Sequence, residues 1–226
     1  MKTVALIVAM RKELDCLKTL LTDVETLTSD GFKYIIGKMG SNRLILHQCG
    51  MGKVNAAVGA SELIHRFAPD CIISSGVAGG LCPEAGIMHV VAASSVVYHD
   101  LYLGESAEDE LERPIECDTQ MVAAAARLSH TSATPIHIGQ ICTGDQFVTE
   151  RPKLDDIKRR HPDGLAVDME SCAIAHACRI YGVPFISFRI ISDTIGAEQH
   201  VEEYENFWST LADKSFGVVR EFLEMV

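Results

Sequence analysis

The chain has 226 residues, a formal net charge of −11 and 47% hydrophobic residues, which is typical of one large or two small globular domains. Its negative charge argues against a surface for nucleic acid or anionic membranes, because both need clustered Lys and Arg. No apolar run reaches the length of a membrane span. The eight cysteines contain no C-x-x-C motif. This pattern predicts neither a disulfide framework nor a zinc site, and it favours a reducing compartment such as the cytoplasm.

Short apolar runs alternate with longer amphipathic stretches. Several short runs are almost continuously apolar, which is typical of strands covered on both faces. The predicted strands are Thr3–Met10, Arg43–Cys49, Cys71–Ser75, His89–Val97, Ile136–Thr143, Leu165–Val167 and Pro184–Ile191. Tyr34–Met39 is a candidate for a further, antiparallel strand. Thr3–Met10 is too short, and lacks the cleavage pattern, for a signal peptide.

The amphipathic stretches predict helices that alternate with these strands. They are Lys12–Leu21, Val54–Phe67, Thr119–Leu128, Arg151–Arg160, Ser171–Tyr181 and a long final helix from about Tyr204 to Glu224. The alternation predicts a three-layer α/β domain with a mostly parallel central sheet flanked by helices. The acidic segment Gly104–Pro114 is predicted to be a solvated surface loop.

The unit Leu165–Asp193 carries carboxylates at both of its ends. Asp168 and Glu170 flank Met169 where one apolar run stops, and Asp193 stands where the next one stops. In an open parallel sheet both positions would fall at the carboxyl edge, where ligands of such folds bind. The unit therefore indicates a site.

Further segments at predicted strand ends have ordinary explanations when each is taken singly. They are Ala9–Glu13, Gly50–Lys53, Ser74–Leu81 and Thr143–Val148. Neither Gly-rich segment fits a nucleotide-binding fingerprint. Glu13, early in a helix, can simply interact favourably with the helix dipole. Phe147 can belong to the hydrophobic core. Their shared placement at strand ends favours a common site.

The residue types at these ends limit the chemistry. The sequence has no H-E-x-x-H metal motif and no G-x-S-x-G serine elbow. Carboxylates, backbone amides, an Arg and an aromatic side chain remain, without a cofactor motif. This set suits glycosidic cleavage, which needs an acid for the leaving group and a base for water.

At the same segments the sequence resembles the 5′-methylthioadenosine/S-adenosylhomocysteine nucleosidases, within the purine nucleoside phosphorylase superfamily. Seven motifs carry the resemblance, in the family's order and over nearly the whole chain. They are A-M-x-x-E (from Ala9), G-x-G-K-V-x-A-A (from Gly50), S-G-V-A-G-G-L (from Ser75), Y-H-D (from Tyr98), T-G-D-x-F (from Thr143), V-D-M-E-S-x-A-I-A-H (from Val167) and F-R-I-I-S-D (from Phe188).

The resemblance implies one α/β domain over residues 1–226, with a twisted central sheet and a homodimeric assembly. It implies irreversible hydrolysis of the N-glycosidic bond of 5′-thioadenosines to adenine and a thioribose, with no cofactor. The implied partner is a small-molecule nucleoside.

The resemblance also implies roles for individual residues. Asp193 would protonate N7 of the adenine, Glu13 would be the base for the attacking water, and Arg189 would help to hold that water. Glu170 would bind the ribose hydroxyls and Met169 would pack on the sugar. Phe147 would stack on the purine, and the backbone of Val148 would read its edge. Further substrate contacts are implied for Met10, Met51, Val77, Ser192 and Asp168.

Three alternatives stay open at this point. A phosphorylase would need a cationic phosphate site, yet no Lys or Arg lies between Arg66 and Arg113, which favours water. A futalosine-type nucleosidase would take a different 5′ group, and a nucleoside-binding protein would lack catalysis. Val77 and Asp168 replace the family's usual Ser and Glu, and Leu101–Ser106 departs from its usual loop, so the preferred 5′ substituent stays undetermined.

Overall fold

A computed structural model describes residues 1–104, 113–194 and 216–225 of the chain. The strands in these ranges are β1 Thr3–Val8, β2 Thr22–Ser29, β3 Phe32–Met39, β4 Asn42–Gln48, β5 Cys71–Gly80, β6 Val90–Tyr98, β7 Ile115–Glu116, β8 Ile136–Thr143, β9 Gly164–Asp168 and β10 Phe185–Thr194. The helices are α1 Arg11–Lys18, α2 Lys53–Phe67, α3 Thr119–Leu128, α4 Arg151–Arg160, α5 Ser171–Tyr181 and α6 Gly217–Leu223.

The strands form one sheet, part of which closes on itself. β5 pairs with β10, and the ring returns to β5 through β6, β8 and β9. From β5 the sheet continues outward through β1, β4 and β3 to the edge strand β2. The fold is therefore an α/β domain with a partly closed sheet.

The expectation of a mostly parallel sheet is not confirmed. Among the described strands five pairings are parallel, namely β1–β4, β1–β5, β5–β10, β6–β8 and β8–β9. The other five are antiparallel. Ring closure is one reason, because β9 meets β5, and β10 meets β6, in the antiparallel sense. The other three antiparallel pairings are the β2–β3 and β3–β4 hairpins and the short pairing of β7 with β6.

β5 is longer than the sequence predicted, and some of its additional residues line the cavity described below. The predicted strand stops at Ser75, whereas the observed strand runs through the Gly-rich stretch to Gly80. β10 pairs along one whole edge of β5. On the opposite edge β1 pairs with Cys71–Ser74 and β9 pairs only with Gly79 and Gly80. The interval 75–78 on that edge has no strand partner and faces the cavity described below.

Helices cover both faces of the sheet. In β1 the side chains of Val4 and Leu6 join a core cluster with α1, α3 and α6, whereas Ala5 and Ile7 join a cluster with α2 and α5. This alternation follows the two-residue period of a strand. α4 packs in a smaller cluster at the ends of β6, β8 and β9. The predicted three-layer arrangement of helices around the sheet is present.

Most predicted elements lie where the periodicity placed them. Helices α3, α4 and α5 match their predicted bounds, and α1 ends at Lys18 rather than Leu21. Strands β2 and β7 were not predicted, because β2 is largely exposed and polar and β7 has two residues. The predicted helix from Tyr204 lies outside the described residues except for its end, where α6 is found. Residues 105–112 of the predicted acidic loop also lie outside them. No helix in the described ranges is long and apolar enough to cross a membrane.

Candidate active site

One cavity gathers the predicted site residues at the ends of β1, β5, β9 and β10. Eleven of the twelve line it, and Arg189 lies directly behind its wall. The lining is Ala9, Met10, Glu13, Met51, Val77, Ala78, Gly79, Gln146, Phe147, Val148, Val167, Asp168, Met169, Glu170, Ser192 and Asp193.

The two ends of Leu165–Asp193 meet across the end of β5. Gly79 is paired with Val167 of β9 on one side and with Asp193 of β10 on the other. A register shift between Ile191 and Asp193 marks an irregularity in β10 at this point. The two ends therefore share one site, as predicted. The arrangement differs from the predicted parallel sheet, because β9 runs antiparallel to β5.

Glu13 reaches the cavity from the first turn of α1. Its Oε2 accepts hydrogen bonds from the backbone N–H groups of Ala9 and Met10, at 2.9 and 2.8 Å. Its Oε1 accepts from the N–H of Val77 at 3.1 Å, on the edge of β5 that lies between β1 and β9 and has no strand partner there. Burial raises the pKa of Glu13 above its ordinary value, although the charge of Arg189 and the three amides act to lower it. A raised pKa makes the carboxylate a stronger base.

Gly76 lets Glu13 and Arg189 approach each other. A Cβ at this position would lie 2.6 Å from Glu13 Oε1 and 2.7 Å from Arg189 Nη1. Since real Cβ atoms do not come so close to neighbours, any larger residue would displace one of these two buried side chains. The glycine is thus required by the close approach.

Asp168 binds the guanidinium of Arg189 through a buried ion pair. Its Oδ2 accepts from Arg189 Nε at 2.6 Å and also from the N–H and Oγ of Ser171. Its Oδ1 accepts from Thr143 Oγ1 at 2.5 Å, and Thr143 Oγ1 in turn accepts from Cys172 N at 3.0 Å. Both oxygens of Asp168 are therefore engaged within the protein.

Glu170 lies between Arg189 and the turn before α2. Its Oε2 is 3.6 Å from Arg189 Nη2, and its Oε1 accepts from the N–H of Gly52 at 2.9 Å. Burial raises the pKa of Glu170 to about 7; Arg189 opposes this shift, and the charge of Asp168 adds to it. The wall of the cavity thus carries two acids, Glu13 and Glu170, whose pKa values burial raises, close to one buried cation.

The other end of the cavity combines a buried acid with an apolar rim. Ser192 Oγ donates to Asp193 Oδ1 at 2.7 Å, and both residues are buried in β10. Val148 is buried, whereas Phe147 is 56% exposed and Met51 is 61% exposed. Phe147 is therefore not a core residue, and a flat apolar ligand could lie between this rim and the acid.

Cations are scarce in the lining. Among the described residues, none that lines the cavity is Lys or Arg. Arg189 behind it is ion-paired to Asp168. Within the described ranges no group of three or more His, Cys, Asp or Glu is placed to hold a metal ion.

The sequence reasoning did not identify the polar side chains behind the site. Thr143, Ser171 and Ser187 form a buried chain of hydrogen bonds with Asp168, in which Ser171 Oγ lies 2.7 Å from Ser187 Oγ. The position of Thr143 at the start of the T-G-D-x-F motif was the available signal. Within that motif the sequence predicted a role for Phe147 alone.

Known proteins match this chain over nearly its whole length. The family model described as the phosphorylase superfamily matches residues 3–224. The 5′-methylthioadenosine/S-adenosylhomocysteine nucleosidase of Aeromonas salmonicida is 32% identical over 228 residues, which cover 97% of this chain and 98% of that protein.

Solved structures superpose over the whole chain. The S-adenosylhomocysteine nucleosidase from Streptococcus pyogenes, in complex with 5-methylthiotubericidin, is 34% identical with a TM-score of 0.91, and the match covers 100% of this chain and 97% of that one. The 5′-methylthioadenosine/S-adenosylhomocysteine nucleosidase from Neisseria meningitidis, in complex with methylthio-immucillin-A, is 30% identical with a TM-score of 0.92 and full coverage of both chains. The chain therefore belongs to the phosphorylase superfamily and, within it, to the 5′-methylthioadenosine/S-adenosylhomocysteine nucleosidases.

Proposed function

We propose that this chain hydrolyses the N-glycosidic bond of methylthioadenosine, S-adenosylhomocysteine or both, to adenine and the thioribose, in the cytoplasm. Full-length relatives with this activity in their names support the reaction. The observation that carries it is one cavity in which Glu13 and Asp193, from opposite ends of the chain, face an apolar rim.

Asp193 is proposed as the general acid. Adenine leaves poorly as an anion, so a proton delivered to N7 allows it to leave neutral as the bond from N9 to C1′ breaks. General acid catalysis of this kind typically contributes about 10²–10⁴-fold. Ser192 Oγ, which donates to Asp193 Oδ1, would fix the orientation of the carboxyl group. An Asp can also accept from the 6-amino group, which favours adenine over a 6-oxopurine.

Glu13 is proposed as the base that takes a proton from the attacking water. The oxygen of that water bonds to C1′ and becomes the anomeric hydroxyl of the thioribose. The other proton of the water goes to Glu13. Burial raises the pKa of Glu13, which suits proton uptake near neutral pH. Arg189 approaches the same face of Gly76 and would help to hold the water.

The remaining proposed substrate contacts comprise polar groups for the hydroxyls and the purine edge, and apolar side chains for the rest of the nucleoside. Glu170 would accept hydrogen bonds from the ribose hydroxyls, and Met169 would pack against the sugar. Phe147 would stack on the purine, and backbone groups of Val148 would bind its edge. The apolar side chains Met10, Met51 and Val77, which line the cavity, would contact the rest of the nucleoside.

Asp168 is assigned a positioning role within this proposal. Because both of its oxygens accept hydrogen bonds from the protein, its effect on substrate would pass through Arg189. Its neighbours Thr143 and Ser171 would keep the shorter Asp side chain in reach of the guanidinium.

Water is the proposed nucleophile in preference to phosphate. A phosphate dianion needs cationic donors, and none of the described lining residues is Lys or Arg. Product analysis with and without phosphate separates the two reactions, since ribose 1-phosphate formation would overturn the hydrolase. Adenine release across methylthioadenosine, S-adenosylhomocysteine, 5′-deoxyadenosine and 6-amino-6-deoxyfutalosine would identify the 5′ group and test the futalosine-type alternative.

The decisive variant is Asp193→Asn, which keeps the shape of the side chain and removes the proton. We expect adenine release from methylthioadenosine to fall at least about 10²-fold, with an unchanged circular dichroism spectrum. Asp163→Asn, at an exposed turn, is the matched control and should keep wild-type activity. Full activity in Asp193→Asn would place the acid elsewhere. Calorimetric binding of nucleoside without adenine release by the wild type would indicate a binding protein.

We also propose that the chain forms a homodimer through α2 and α5. Val54 and Val58 on α2 are 74% and 50% exposed, and Ile180 on α5 is 67% exposed. These helices pack side by side, and Val58 and Ile180 line a groove between them that also contains Glu62 and His176. Exposed apolar residues grouped in this way and rimmed by polar ones are typical of a protein interface.

A further inference from the structure

Three motifs of the sequence carry charged residues to which the proposed reaction gives no role. Lys53 begins α2, Asp100 follows β6 and Asp145 follows β8. The structure brings them together beside the cavity. Lys53 Nζ lies 2.7 Å from both carboxylate oxygens of Asp100 and 3.8 Å from Asp145 Oδ2. None of the three lines the cavity itself.

Backbone groups join the same cluster. The N–H of Lys53 donates to Asp145 Oδ1 at 2.7 Å, and the N–H of Asp145 donates to Asp100 Oδ2 at 2.8 Å. The ammonium of Lys53 also lies 5.4 Å from the ring centroid of Tyr98. Each of the three segments is thus connected to the other two by hydrogen bonds, so the cluster fixes backbone as well as side chains.

Partial burial makes the Lys53–Asp100 pair within this cluster stronger than an ordinary surface ion pair. The side chains of Lys53 and Asp100 are 25% and 17% exposed, whereas those of the exposed pair Lys38 and Asp23 are 59% and 68% exposed. Salt and water screen partly buried charges less. Burial by itself would raise the pKa of Asp100, yet the donors Lys53 and Asp145 hold it below its ordinary value.

The segments joined by the cluster adjoin residues that line the cavity. Asp145 directly precedes Gln146, Phe147 and Val148. Gly52 directly precedes Lys53, and its N–H donates to Glu170 at 2.9 Å. Gly52 has φ of +91°, and a Cβ there would lie 3.0 Å from Asp145 Oδ1. The aromatic rim and the proposed ribose carboxylate therefore depend on one anchor.

We propose that Lys53, Asp100 and Asp145 are positioning residues that set the distance between the Phe147 segment and Glu170, and thereby the affinity for the nucleoside. This inference rests on the proposed function of the cavity. Bond breaking depends on Asp193 and Glu13, which lie on β10 and α1, outside the three segments that the cluster joins. Loss of the cluster therefore weakens nucleoside binding and leaves the chemical step nearly intact.

The test is Lys53→Met, which removes the ammonium and keeps the length of the side chain and its backbone N–H. With methylthioadenosine as substrate we expect KM to rise about tenfold, the size expected for loss of a charged hydrogen bond, while kcat stays within about twofold. Lys53→Arg should restore most of the affinity. Asp100→Asn should raise KM similarly, and the double variant should add little, because both remove one interaction. Lys38→Met is the matched control and should match the wild type.

An unchanged KM in Lys53→Met would overturn the inference. A fall in kcat at constant KM, together with a lower Tm, would also overturn it. That result would indicate a merely structural role, in which the substitution only reduces the amount of active protein. If the wild type released no adenine, the proposed function would fail first, and calorimetric titration with intact methylthioadenosine would test the cluster separately. About tenfold weaker methylthioadenosine binding by Lys53→Met would then support the inference, and equal binding would contradict it.

Discussion

Arg189 organises the charges of the site at the scale of single residues. It is 2% exposed and sits among three buried carboxylates, with an ion pair to Asp168 at 2.6 Å and a longer one to Glu170 at 3.6 Å. A buried charge is tolerated only when it is paired and hydrogen-bonded. The guanidinium thus allows Glu13, Asp168 and Glu170 to be buried close together, which is what the proposed chemistry requires.

The titration of Glu170 gives a prediction at this scale. Its pKa in the folded protein is about 7, against an ordinary value of 4.5. The folded state therefore binds the proton more tightly than the unfolded state does. The stability that results is complete below about pH 4.5 and is lost as pH rises to about 7.

We therefore expect Glu170→Gln, which cannot ionise, to gain about 2–3 kcal/mol of stability relative to wild type between pH 5 and pH 8, because 1.36 kcal/mol per pKa unit applies over most of this range. Urea unfolding at both pH values measures this difference. The exposed Glu150→Gln serves as the control and should follow the wild type. A constant difference between Glu170→Gln and wild type across this range would contradict the shift.

At the scale of elements, the start of α5 is joined to the ends of β8 and β9. The N–H groups of Ser171 and Cys172 in the first turn donate to Asp168 Oδ2 and Thr143 Oγ1, both at 3.0 Å. The helix terminus thus stabilises the carboxylate that holds Arg189. The sequence predicted both β8 and α5 with correct bounds, but their connection through one buried hydroxyl appears only in three dimensions.

Thr143→Val tests this connection, because it keeps the shape of the side chain and removes its hydroxyl. It would take away two hydrogen bonds and leave the N–H of Cys172 buried without an acceptor. We expect a loss of about 2–3 kcal/mol in the free energy of unfolding. Thr22→Val removes an exposed hydroxyl that donates to Lys38 O at 3.3 Å, and its effect should stay within about 0.5 kcal/mol. Equal effects in a urea titration would refute the role of Thr143.

At the scale of the whole molecule, closure of the strand ring decides where the site lies. β5 is long enough to pair with β1 at its start, with β9 at its end and with β10 throughout. The unpaired interval between β1 and β9 admits Glu13 from α1 to the N–H of Val77.

The proposed dimer gives a prediction at the same scale. Val58→Glu would place a carboxylate in the apolar face of α2, and burial of an unpaired charge costs several kcal/mol. We expect the dissociation constant of the dimer, measured by analytical ultracentrifugation, to rise by at least about a hundredfold. Val24→Glu lies on the exposed edge strand β2 and should leave assembly unchanged. A monomeric wild type, or equal behaviour of the two variants, would exclude this interface.

The sequence by itself determined the order of most strands and helices, the layered arrangement and the resemblance, because these depend on local periodicity and on motifs that are contiguous in the chain. The candidate residues Glu13, Glu170 and Asp193 were also found from their placement at strand ends. Tertiary structure alone decided that β5 continues through its glycines, that β9 enters antiparallel, and that Lys53 meets Asp100 and Asp145. These features arise from contacts between segments far apart in the chain, and local periodicity carries no information about which distant segments pair or how charges are paired when they do.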